Sequence, residues 1–128
     1  MLNKIRKNNK GFTLVEVIVV AVIVAVLALV AIQLYQGYVT ESRQNTAENL
    51  GASAASFAQS AINSGIAPAS IVSLGAGGTW TFTLPNSQQN VTFTCPQNAI
   101  ITVDGNNITA SVGPTGSQRT SDAYPFNQ

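Results

Sequence analysis

A run of 21 mostly apolar residues, FTLVEVIVVAVIVAVLALVAI from Phe12 to Ile32, constrains this chain more than anything else in it. Wound as a helix it would measure roughly 30 Å, the hydrocarbon thickness of a bilayer. It is therefore long enough to cross a membrane unaided. Residues 1–11 ahead of it hold four cations, Lys4, Arg6, Lys7 and Lys10, and no anion. That asymmetry holds the leader on the cytoplasmic side while the apolar run inserts. A secretory signal would have a shorter apolar core followed by a small-residue A-x-A site. Here Ala25, Ala28 and Ala31 recur every three residues instead, so a cleaved secretory signal is the second reading.

Glu16 is the only charge inside the run. A carboxylate at the centre of a bilayer costs about 2.5–3.5 kcal/mol on insertion scales, so it needs water at the membrane edge or a counter-charge. A cut between Gly11 and Phe12 would make Glu16 the fifth residue of a helix that begins with a free ammonium, about one turn away.

Lys10-Gly11, then Phe12-Thr13-Leu14-Val15-Glu16 and the apolar span behind them, resembles the class III leader and N-terminus of type IV pilins and pseudopilins. The resemblance covers about a quarter of the chain. It implies that a prepilin peptidase cuts after Gly11, that Phe12 becomes the N-methylated first residue, and that Glu16 pairs with the amine of a neighbouring subunit during assembly. The partners it implies are further copies in a homopolymeric filament, the peptidase, an inner-membrane assembly platform and minor pilins. The implied location is the inner membrane first and an extracellular pilus afterwards. Physical reasoning gives Glu16 the same role. When apolar helices stack into a filament core, a buried carboxylate destabilises the packing by several kcal/mol unless it is matched. A neighbour's ammonium matches it at one axial offset, which makes Glu16 a register device.

Beyond Ile32 the polarity rises with no proline, and Leu50, Ala54, Phe57, Ala58, Ala61 and Ile62 recur on one helical face until Gly65 closes the pattern. The fold class expected is α+β: one helix from Phe12 to about Asn63, membrane-spanning in its first half and amphipathic in its second, packed on a small four-stranded antiparallel sheet. The segments expected are the leader 1–11, the membrane and filament-core helix 12–32, its amphipathic continuation 33–64, a loop 65–78, the β head 79–113 and a tail 114–128. Gly37 and Gly51 each weaken a helix by about 1 kcal/mol relative to alanine and are candidate bend or melting points. Tyr35 and Tyr38 follow the apolar run and read as an interfacial anchor or as packing between neighbours.

Strand signals come from TWTFTL, VTFTC, AIITV and NITASV, with Trp80, Phe82 and Leu84 sharing one face of the first and Val91, Phe93 and Cys95 one face of the second. Asp104-Gly105-Asn106-Asn107 joins the third and fourth as a hairpin. The tail GPTGSQRTSDAYPFNQ has no period and reads either as an ordered cover for a sheet edge or as a mobile end.

Composition excludes several functions. The chain has no histidine and one cysteine, Cys95, so His/Cys metal clusters and Ser-His or Cys-His catalysis lack their parts. Cys95 lies in an alternating apolar stretch and reads as a small buried hydrophobe. Past the leader, Arg43 and Arg119 face Glu16, Glu41, Glu48, Asp104 and Asp122, a net charge of −3 that leaves no basic patch for nucleic acid. Asp104 and Asp122 are a thin supply for a calcium ion, and no cofactor is expected. The chain thus reads as a structural subunit, not an enzyme: a type IV pilin whose filament serves adhesion, motility or uptake. The alternatives are a pseudopilin of a type II secretion or DNA-uptake system, a minor pilin, or a membrane-anchored or secreted small binding domain that never polymerises.

Overall fold

The computed structural model describes Gly11 and residues 13–127. Two compact units make up the chain, Met1–Gly37 and Tyr38–Gln128. The leader residues 1–10 and Phe12 lie outside the described residues.

In the first unit the backbone from Leu14 onward is the opening half of an α-helix, α1 (Leu14–Asn63). Its most apolar 18 residues have a mean hydropathy of 3.2, and among the described residues α1 is the one helix long and apolar enough to cross a membrane. Valine and isoleucine dominate this half although both are indifferent helix formers in water. In hydrocarbon a lone segment satisfies its backbone polar groups only by closing on itself as a helix. The α-helical span includes both Gly37 and Gly51.

In the second unit the rest of α1 packs on strands. Its buried residues are Ala47, Gly51, Ala54, Ala55, Ala58 and Ala61, recurring every three or four residues on one face. The bulkier Leu50, Phe57 and Ile62 flank this stripe and pack partly buried against the core. The apolar face expected from the sequence is present, centred on smaller residues. Gly51 shows why: a Cβ there would lie 2.7 Å from the Ser121 hydroxyl and 3.0 Å from the Tyr124 ring. Gly51 thus serves close packing. At the C-terminal end Gly65 takes a φ of +99°. The Ile66 and Gly65 amides donate back to the Ala61 and Ile62 carbonyls, the glycine-terminated cap that satisfies the last turn.

The strands are β1 (Thr79–Thr83), β2 (Asn90–Thr94), β3 (Ala99–Asp104), β4 (Asn107–Val112), β5 (Arg119–Thr120) and β6 (Tyr124–Pro125). The α+β class and the antiparallel pairing are as expected, and the four long strands are divided between two sheets. β1 pairs only with β2, whereas β3, β4 and the two short strands form the second sheet. Edge occupancy accounts for the division. The outer edge of β4 takes β5 and β6, and β3 carries a bridge from Leu74 to Ile101 on its other side. β3 and β4 meet through a two-residue loop with Asp104 opposite Asn107. Gly105, first in the loop, has a φ of +58°, as a type II′ turn requires.

One core joins helix and sheets. Phe57 of α1 lies 6.2, 6.1 and 5.5 Å, ring to ring, from Trp80, Phe82 and Phe93. The Trp80 indole N–H donates to the Val72 carbonyl at 2.7 Å, so the buried ring keeps its polar atom satisfied. Cys95 is 1% exposed, and its thiol donates to the Ala99 carbonyl at 3.4 Å.

Candidate assembly surface

The start of α1 is fixed by Thr13. Its hydroxyl oxygen accepts the Glu16 amide at 3.2 Å, and its carbonyl accepts the Val17 amide at 3.2 Å, the first bond of the helix. Thr13 is thus the N-cap and Glu16 the third helical residue. The sequence signal was there to be read, because T-x-x-E ahead of an apolar run is the capping-box pattern. Glu16 lies in the first turn and is exposed, where the unpaired amides and the helix dipole favour negative charge by about 0.3–1 kcal/mol. Gly11 is exposed and described. Phe12 is not among the described residues, so the structure does not address its expected methylation.

From Leu14 to Leu34 every valine, leucine and isoleucine leaves at least half of its surface uncovered. Fully burying one such side chain is worth about 1.5–3 kcal/mol, so fifteen residues of this kind call for lipid or for other helices around them. Tyr35 and Tyr38 are exposed as well.

The second unit carries a polar cluster that the sequence did not announce. Glu48, half buried on α1, accepts the Tyr124 hydroxyl at 2.6 Å, the Asp122 amide at 3.2 Å and the Gln44 side-chain amide at 2.8 Å. Gln44 also donates to the Thr120 carbonyl at 3.0 Å, and Gln59 accepts the Asn127 amide at 2.7 Å. The C-terminal segment is thereby tied to the helix along its length, and Phe126 is buried beneath it. The Tyr124 hydrogen bond, helped by those of Gln44 and Asp122 against partial burial, holds the Glu48 carboxyl below its ordinary value. The same contact, with burial, pushes the Tyr124 phenol up. Among the described residues no three His, Cys, Asp or Glu side chains converge as a metal site.

Comparison with known proteins places these features. Residues 6–32 match the family described as the prokaryotic N-terminal methylation motif. The chain is 33% identical over 76 residues to "Fimbrial protein EcpC" of Eikenella corrodens, an overlap that takes in 59% of this chain and 50% of that protein. It thus spans about half the length of the curated relative it matches. No solved structure matches it. The N-terminal methylation motif at residues 6–32 and the likeness to a fimbrial protein over part of the chain support assignment to the type IV pilin family.

Proposed function

We propose that this chain is the structural subunit of a type IV pilus. It inserts through residues 12–32 with its basic leader in the cytoplasm, is cut after Gly11 by a prepilin peptidase and is methylated on Phe12. Copies then leave the membrane on an assembly platform, with minor pilins, and stack their apolar helices into an extracellular filament for adhesion, motility or uptake. The carrying observation is the uncovered apolar helix opening on a capped Glu16, within the residues that match the methylation motif. Such a helix is stable in two surroundings, a bilayer and a bundle of its own kind. Glu16 suits the second, because a neighbour's terminal ammonium supplies the counter-charge that hydrocarbon lacks.

The test is the intact mass and N-terminal sequence of the protein from sheared surface material and, separately, from membranes. A chain that begins at methylated Phe12 in the sheared fraction is the expected result. The same chain confined to membranes would favour a pseudopilin or minor subunit, and a start at Met1 or after Ala28 would overturn the reading.

A further inference from the structure

The β3–β4 hairpin presents different chemistry at its two ends. At the open end, where Ala99 stands opposite Val112, lies a groove of about 460 Å³ lined by Arg43 of α1 with Gln97, Asn98, Ile100, Gly113 and Gln118 among others. No acidic residue lines it. Arg119 stands opposite Val112 on the neighbouring strand, so both cations beyond the leader lie at this end. At the other end Asp104 and the loop Gly105–Asn106 are exposed. The two ends are about 17 Å apart along β3, from the strand rise per residue.

We propose that the Asp104 turn of one copy seats in the Arg43 groove of the next, joining heads end to end; this rests on the filament reading above. Charge selects the occupant. Glu48 is spent on Tyr124, the Asp122 amide and Gln44, and Asp122, though exposed, is carried on a segment strapped against α1 and not on a projecting turn. Glu41, two residues from Arg43, points about 200° away around the helix. Asp104 is the acid at the far pole, carried on a narrow two-residue turn that suits a concave site. A guanidinium flanked by side-chain amides offers a carboxylate several donors, and the groove walls shield the pair from salt. Geometry selects the symmetry. The two contact patches differ, so the interface is heterologous, and repeating it gives an open helical array, whereas a self-complementary patch stops at a dimer.

The experiment uses the full chain in its own host. Arg43→Glu, Asp104→Arg and the double exchange are compared with the parent for sheared-filament yield and for processed protein in membranes. Each single reversal is expected to lower the filament yield at least about tenfold, and the exchange to restore it to within about threefold, with membrane levels equal in all four. Wild-type yield from both singles, or an exchange no better than the worse single, would overturn the pairing while leaving the filament reading intact. A parent that makes no filament would sink both. Should a reversal fail to accumulate, Asn106→Cys with Thr115→Cys answers the same question by oxidation of assembled filaments, Cys95 being too buried to compete. A ladder of cross-linked multimers supports the pairing, and monomer alone refutes it.

Discussion

A carboxylate on a helix is ordinarily a solvated charge, but Glu48 collects donors from α1, from the backbone at Asp122 and from the Tyr124 ring. Because these bonds favour the ionised form, its folded-state pKa lies below the ordinary 4.5. A depressed carboxyl contributes stability that is present above the unfolded value and lost as pH falls through the folded one. For Tyr124 the sign is opposite: its raised pKa contributes stability below the ordinary 10 that is lost at more alkaline pH. The contact therefore holds between about pH 5 and 10. Thermal melts of the detergent-extracted chain should show a Tm that falls below pH 4.5. Glu48→Gln should start lower at pH 7 and change less over that acid range, and identical profiles for the two proteins would remove Glu48 from the account. Other carboxylates titrate in both, so the difference isolates this one.

Among elements, the C-terminal segment depends most on long-range contacts. β5 and β6 have two residues each, too few to hold alone, and they are kept on β4 by Glu48, Gln59 and the buried Phe126. Phe126→Ala should cost about 3–5 kcal/mol, a large share of the roughly 5–15 kcal/mol available to a small domain. Denaturant unfolding of the full chain in detergent checks it, and a loss below about 1 kcal/mol would show that the segment contributes little. Period explains what could be read beforehand. The second half of α1 and the four long strands repeat at 3.6 and 2 residues, and their patterns survive into the structure. The C-terminal segment has no period because its contacts are tertiary. Ala47, Gly51 and Ala55 were passed over because small side chains give weak apolar signal, although their smallness lets the sheet and Tyr124 come close. Pairing of β1 and β2 apart from β3 was equally hidden, since alternation fixes a strand's faces and is silent on its partner. At the N-terminus the segment that matches the methylation motif was legible, because its signal is local in sequence; only the Thr13 cap on the Glu16 amide went unread.

For the whole molecule the deciding comparison is between two apolar surroundings. On the filament reading, moving residues 12–32 from lipid into a filament core would exchange one hydrocarbon environment for another, so the hydrophobic effect would do little to select the polymer. What differs between the two is the treatment of charge. On the filament reading Glu16 would stay near the membrane interface before assembly, at the first turn where Thr13 accepts its backbone amide. In a filament core it would be enclosed, and an unmatched carboxylate there costs several kcal/mol, against a matched one that fixes the offset between neighbours. Glu16→Ala removes the cost and the register together. The variant should insert and be cut as the parent is, since its apolar span is only lengthened, and its sheared-filament yield should fall at least about tenfold. Immunoblots of membrane and sheared fractions separate the two steps. Filaments at the parental yield would mean that close packing alone sets the register. Restored assembly in Glu16→Asp, which keeps the charge on a shorter arm, would tie the loss to the carboxylate and not to the helix start, where aspartate caps and charges the first turn about as well.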